Sequence, residues 1–461
     1  MKVWKMAAFT LMIAVLAFMT ACSGNTNNSN GGSDATTAQE GQNANTGSTS
    51  SGEKQPPAEE ETIELTFANW ISTEDATKEA YSQLVAGFEA AHPNIKIKSL
   101  GIPFNEYKDQ VLVASTGGNT PDVLMANQGF TPAFASAGIV QPLESLLGSE
   151  IAGDILPSSK AGVTFDGKLI AMPWAPHPNA LFWNKTLFEK AGLDPNAPPK
   201  TWEELTTYAA AIAALKQDAS GSPIYGIGEA TKTGAYTGQM LLRILLAHGG
   251  KFVDDQGKLA LDQGTGLADS LQYLRDLAVN KVTPVGAEIK DLRAMFGTGS
   301  LGMLVDGDFG RNNFRQASGK GEAFDKEWGV TTVPAGATGR SETVFTEHQL
   351  LISSTTKHAE AAAEFVKYLV SKDAMILYHK LNGVMSSRTS IASLPELNED
   401  DYAKVFNEQM TTASPFPTAN PKFDLAMNET SNLTVLATTT KEPIPSVIAK
   451  VLPKLQELYA K

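Results

Sequence analysis

The chain has 461 residues, 42% of them apolar and 8% aromatic, which excludes a disordered protein and suffices for two or three ordinary domains. Its 37 basic and 50 acidic residues leave a net charge of −13, which argues against nucleic acid as a partner and against electrostatic docking on anionic lipid. Six histidines, at 92, 177, 248, 348, 358 and 379, show no metal-ligand spacing, and the single cysteine, Cys22, leaves no intrachain disulfide, so neither a metal nor a cofactor is expected.

In chain order, Lys2 and Lys5 precede an apolar run from Met6 to Met19, which has the length of a signal-peptide core and is short for a membrane span. Met19-Thr20-Ala21-Cys22 then resembles a bacterial lipobox, with methionine where leucine is more usual. The expectation is a lipoprotein signal over 1–21, cleaved before an acylated Cys22; the alternative is an ordinary secretory signal with a chance cysteine. Residues 23–61 hold no aromatic residue and no Leu, Ile or Val, so 22–61 is expected to be a lipid-anchored, disordered tether. A random coil of that length spans roughly 35 Å. No later run of 18 apolar residues appears, so the mature chain is expected to be anchored rather than spanning.

The body begins near Thr62 with an alternating strand, Thr62 to Phe67. Tyr81, Leu84, Val85 and Phe88 then fall on one helical face, and His92-Pro93-Asn94 ends that helix. Ile95 to Lys98 alternates again, and Val123-Leu124-Met125 reads as a short buried strand. The order β, α, β, α, β predicts an α/β fold with parallel sheets. Thr201-Trp202-Glu203-Glu204 has the form of a capping box, with Thr201 as cap and Glu204 reaching back. Leu205, Tyr208, Ala209 and Ile212 form the apolar face behind it. A Gly-rich stretch over 226–238 leads into an apolar helix at Tyr236 and Gln239. Met303-Leu304-Val305 reads as a strand, and a late helix near Ala359 to Val370 turns Ala362, Phe365, Val366 and Leu369 to one side.

Five segments, in order, carry a family resemblance. They are Phe88 to Ile97 (FEAAHPNIKI), Gly117 to Val123 (GGNTPDV), Ala180 to Leu193 (ALFWNKTLFEKAGL), Pro199 to Leu205 (PKTWEEL) and Phe296 to Met303 (FGTGSLGM). Together they resemble the extracellular solute-binding proteins of carbohydrate ABC importers, family 1, the maltose-binding-protein type. The resemblance implies a two-lobed periplasmic-binding-protein fold of type II, with a ligand cleft between lobes and three hinge crossovers. It also implies lobe one at 62–179 plus 343–385 and lobe two at 180–342 plus 386–461. One departure is that Thr346-Glu347-His348-Gln349 stands where relatives often carry a glycine pair.

A sugar offers hydroxyls at its rim and an apolar C–H face, so its site needs an aromatic platform with carboxylates, amides or imidazoles. Such ligands lie beyond the carboxyl ends of strands. That rule singles out Asn69 and Trp70 after the first strand, the loop after Val123–Met125, and Asp306 and Asp308 after Met303–Val305; the resemblance implies Gln128 as the polar contact of the second loop and Phe309 as the aromatic of the third. Trp174 and His177 lie on the proline-stiffened approach to the first crossover, with Trp174 as stacking platform. The resemblance adds an aromatic near a helix start, Tyr236, with Gln239. Glu347 and His348 occupy the departed glycine position, and Arg388 follows the last crossover. Two acids around Gly307 could suggest calcium, but the other oxygen ligands of such a loop are missing.

The function implied is capture of a sugar or oligosaccharide by a monomer, anchored on the outer face of a cell membrane, for delivery to the transmembrane subunits of an ABC permease. The long tether points to a Gram-positive envelope. No reaction on the ligand is expected. Alternatives are a non-sugar solute such as a polyol phosphate, an adhesion role, and a glycoside hydrolase using acids among Asp306, Asp308 and Glu347.

Overall fold

The computed structural model describes residues 62–254 and 256–460. The expected signal segment, Cys22 and the tether lie outside the described residues. The first strand, β1 (Ile63–Asn69), turns Leu65 and Phe67 inward and leaves Glu64 outward, as its alternation requires. The helix Lys78–Ala91 follows, burying Tyr81, Leu84 and Phe88, and it stops at His92, whose backbone N–H still reaches the Phe88 carbonyl. β2 (Ile95–Gly101) and β3 (Val123–Asn127) both lie parallel to β1. After a small hairpin, β4 (Thr164–Phe165) with β5 (Lys168–Leu169), the chain runs through β6 (Met172–Pro178). A single residue, Asn179, separates β6 from β7 (Ala180–Asn184), which belongs to a second sheet.

That second sheet has the order β10-β7-β9-β8, with β8 (Tyr225–Gly228), β9 (Leu301–Asp306) and β10 (Trp328–Thr331). The chain then returns along β11 (Thr343–Ile352), and β12 (Ala413–Pro415) pairs with its first residues. The first sheet is therefore β12-β11-β3-β1-β2, with β6 also on β11. Both sheets are mixed rather than purely parallel. β11 runs antiparallel to β3 and β6, and β7 runs antiparallel to β9 and β10. A strand that arrives from the other sheet needs no crossover helix, so nothing in its connection requires it to lie parallel.

Each sheet has its own core, which makes two lobes. Around the first sheet pack Phe67, Phe88, Met125, Phe365 and Tyr378. Around the second, the helices Ala235–Ala247, Gly266–Val279, Phe423–Thr439 and Ile444–Tyr459 bury Leu241, Leu271, Met427 and Leu455. An aromatic cluster of Phe182, Phe296, Phe314, Trp328, Tyr402 and Phe406 completes that lobe. Ile391 and Leu397 belong to the first core, whereas Tyr402 and Phe406 belong to the second. Met385 packs with Tyr402 and Phe406 as well, so side chains of the two cores alternate over 384–406.

The helix Trp202–Ala213 starts as a modified box. Thr201 Oγ1 accepts from the Glu204 N–H at 3.2 Å, but the Glu204 carboxylate takes the Lys200 N–H at 2.6 Å rather than that of Thr201. The first bond satisfies an orphan donor of the helix start, and the second ties down the chain just before the cap.

Candidate functional site

The ends of β1 and β3, the passages β6 and β11, and the loop after β9 converge where the lobes meet. Asn69 closes β1 by turning the chain. Its Oδ1 accepts from the Ser72 N–H at 2.9 Å, and its Nδ2 donates to the Phe67 carbonyl and to Ser99 Oγ, both at 3.2 Å. Trp70 is 3% exposed and sits edge-on to Phe104, Tyr107, Phe130 and His348 at centroid distances of 5.4, 5.0, 6.2 and 5.3 Å. It therefore buttresses Phe104 and Phe130 from behind.

A polar row runs from there into the second lobe. His348 Nδ1 and His177 Nε2 share a hydrogen bond at 3.2 Å, and His177 Nδ1–H donates to Asp308 Oδ1 at 2.6 Å. Burial, then the neighbouring His177, pushes the His348 pKa well below the usual imidazole value, so this ring is neutral. Asp308 Oδ2 is buried without a hydrogen-bond partner among the described residues. The Phe309 ring meets His177 edge-on at 5.1 Å and carries the Arg293 guanidinium over its face at 4.8 Å. Arg293 in turn forks onto Asp306, Nε to Oδ2 at 2.7 Å and Nη2 to Oδ1 at 2.9 Å. Asp306, Asp308, Phe309, His177, His348 and Trp70 are thus one continuous string.

Other expected residues lie elsewhere. Alternation along β11 sends Glu347 and Gln349 to the side opposite His348. There Glu347 accepts from the hydroxyls of Ser159 and Ser387 and from Gln349 Nε2, and burial raises its pKa to about 7. Gln128 is buried beside Gly162, with both amide atoms unpartnered among the described residues. Trp174, 1% exposed, stacks on Tyr378 at 4.9 Å and donates Nε1–H to the Leu369 carbonyl at 3.1 Å, so its ring is part of the first core. Arg388 braces the same lobe through Asp154 Oδ2 at 3.0 Å and the Val370 carbonyl at 3.3 Å.

The open space lies beside Phe104 and Phe130. A cavity of about 420 Å³ is lined from the first lobe by Phe104, Asn105, Lys108, Asp109 and Phe130. Its opposite wall is the helix start at Tyr236, together with Lys232, Glu288, Lys290, Asp424 and Asn428. Of the expected residues only Tyr236 lines it. Trp70 stands directly behind it, and Gln239 lies one turn along the same helix, against Gly129. A larger groove, about 560 Å³, runs between Asp75–Ala80, Asn312–Glu322 and Lys380–Asn382. Among the described residues no aromatic lines that groove, so the smaller cavity is the better match to a ligand with an apolar face.

Phe104 and Phe130 were absent from the expected set, although the same rule reaches them, since each follows the end of its strand, β2 or β3, by three residues. Lys108, Arg293 and Asp424 sit on helices at unrelated points of the chain and carry no local signal. Among the described residues no group of three His, Cys, Asp or Glu side chains could hold a metal ion. No helix of the described residues is long and apolar enough to cross a membrane.

Comparison with known proteins adds the following. A family model described as bacterial extracellular solute-binding protein matches residues 72–376. A binding protein of Brucella abortus (strain 2308) is 25% identical over 296 residues, covering 64% of this chain and 69% of its own length. The diacetylchitobiose binding protein DasA of Streptomyces coelicolor is 26% identical over 340 residues, 71% of this chain and 74% of its own. Among solved structures, the GacH receptor of Streptomyces glaucescens, studied unliganded and with acarbose, superposes with a TM-score of 0.76 at 24% identity. That match covers 86% of this chain and 98% of the receptor, and it supports the two-lobed fold.

Proposed function

Given that the chain belongs to the bacterial extracellular solute-binding proteins, we propose that it captures a sugar or oligosaccharide in the cavity between its lobes and delivers it to an ABC permease. The observation that carries this reading is the cavity itself, in which the rings of Phe104, Phe130 and Tyr236 accompany amide and charged side chains from both lobes. Ring faces suit sugar C–H faces, and Asn105, Asn428, Asp424 and Lys108 suit hydroxyls. A ligand touching both walls favours the closed arrangement by its differential affinity for it.

The acids that a glycoside hydrolase would need are already engaged: Asp306 by Arg293, Asp308 by His177, and Glu347 by two serines. A binding role without turnover is the simpler reading. We further propose that Cys22 is acylated after removal of residues 1–21, which holds a monomer on the outer face of the membrane at the end of its tether. Cys22→Ser should then release the protein from the membrane fraction.

The test of capture is calorimetric titration of the purified protein with neutral mono- and oligosaccharides and sugar alcohols. A ligand at a hundredfold excess over its Kd stabilises the fold by about 2.7 kcal/mol, so a thermal-shift screen finds it first. If no carbohydrate shifts the melting temperature, or if binding survives Phe104→Ala and Tyr236→Ala unchanged, this reading of the site is wrong.

A further inference from the structure

Lys108 and Asp424 meet across the cavity from different lobes. Lys108 lies on the helix Phe104–Thr116 and Asp424 in the first turn of the helix Phe423–Thr439, and the two form a direct ion pair. Their side chains are only 21% and 15% exposed. The other lysines lining the cavity, Lys232 and Lys290, are 56% and 77% exposed and share Glu288, at 3.1 and 2.8 Å. Three lysines thus stand against three carboxylates, those of Asp109, Glu288 and Asp424, and the formal charges cancel. Water and salt screen exposed pairs far more than enclosed ones, so the Lys108–Asp424 pair sets the field inside. The helix start at Ala235 also lines the cavity and has no side-chain cap, which adds positive character to this wall. Without Asp424, the space would therefore favour an anion.

We propose that Asp424 is a specificity-determining residue: by neutralising Lys108 it makes the cavity accept uncharged sugars and sugar alcohols and reject their phosphorylated or carboxylated counterparts. This rests on the reading of the cavity as the ligand site. An anionic ligand that took another N–H of Lys108 would lie against the enclosed Asp424 carboxylate and be repelled by it. A hydroxyl, in contrast, can donate to that carboxylate and accept from the lysine without breaking the pair.

The experiment compares wild type, Asp424→Asn and the double variant Lys108→Met/Asp424→Asn in the full chain at fixed ionic strength. Titrants are matched pairs, mannitol with mannitol 1-phosphate and glucose with glucose 6-phosphate, plus glucuronate and inorganic phosphate. Asp424→Asn should raise the affinity ratio of anion to neutral partner at least tenfold, and the gain should vanish when Lys108 is also replaced. Where no sugar in the panel binds, the readout is the affinity for inorganic phosphate itself, which Asp424→Asn should raise at least tenfold over wild type and Lys108→Met should then abolish. Circular dichroism melts verify folding, and Asp424→Ser replaces Asp424→Asn if the latter does not fold. A wild type that prefers the anion of any pair, an unchanged ratio in Asp424→Asn, or a gain that persists without Lys108 each overturns the proposal. Failure of the site reading looks different: a neutral sugar binds, yet Phe104→Ala and Tyr236→Ala leave its affinity unchanged.

Discussion

Glu347 ties the stability of the first lobe to pH. Its carboxyl is fully buried on β11, and burial outweighs three hydrogen bonds and the nearby His177 to raise its pKa from an ordinary 4.5 to about 7. Below pH 4.5 both native and unfolded chains hold the proton, and the full contribution to stability is present. Between 4.5 and 7 the unfolded chain ionises while the native carboxyl does not, so stability falls as pH rises; above 7 the loss is complete. A difference of that size corresponds to about 3 kcal/mol, most of which falls between pH 5 and 8. Glu347→Gln keeps the shape and cannot titrate. Urea unfolding of both proteins at pH 5, 6, 7 and 8 should show wild type losing stability relative to the variant by that amount. His348, with its depressed pKa, acts in the opposite sense, stabilising above its unfolded value and less so as pH falls. Because it is present in both proteins, it cancels in the difference. Parallel pH profiles for the two proteins would refute the argument.

Phe104→Ala and Tyr236→Ala should each weaken sugar binding about tenfold, read by calorimetry, and Phe104→Ala should leave the melting temperature nearly unchanged because that ring is 36% exposed. Arg243 and Glu229 pair at 2.6 Å with both side chains 2% exposed, so Glu229→Gln or Arg243→Met alone should cost about 3–5 kcal/mol by chemical denaturation. Replacing both with apolar residues should recover much of the loss, and single-variant losses under about 0.5 kcal/mol would contradict the pairing. Gly238→Ala places a Cβ 1.9 Å from the Met427 carbonyl, where the helices Ala235–Ala247 and Phe423–Thr439 touch. That change should cost about 2 kcal/mol or more, and an unaltered melting temperature would show that the helices part more easily than their packing suggests.

Much of the fold was legible in local patterns. β1, β2 and β3 and the helices between them follow from alternation and from a 3.6-residue apolar period, because a half-buried element must repeat its apolar residues at its own period. The mixed sheets were not legible. β11 lies antiparallel to β3 and β6, and its alternation says nothing about strand direction. Which core each side chain between Val384 and Phe406 enters was likewise invisible, because neighbours in sequence go to different cores.

For the candidate site, strand-end position brought out Trp70, Asp306 and Asp308, while the family resemblance, through its crossover and its departed glycine pair, brought out His177, His348 and Phe309. They could not tell a ring that faces open space from one that supports it. Trp174 and Trp70 look like platforms in sequence, yet one stacks on Tyr378 inside the lobe and the other stands behind Phe104. Nor could they foresee that Glu347 and His348, adjacent in the chain, face opposite sides of β11. The Lys108–Asp424 pair is 316 positions apart in the chain. Composition and periodicity act over a few residues, whereas a cleft is assembled from segments that meet only after both lobes have packed.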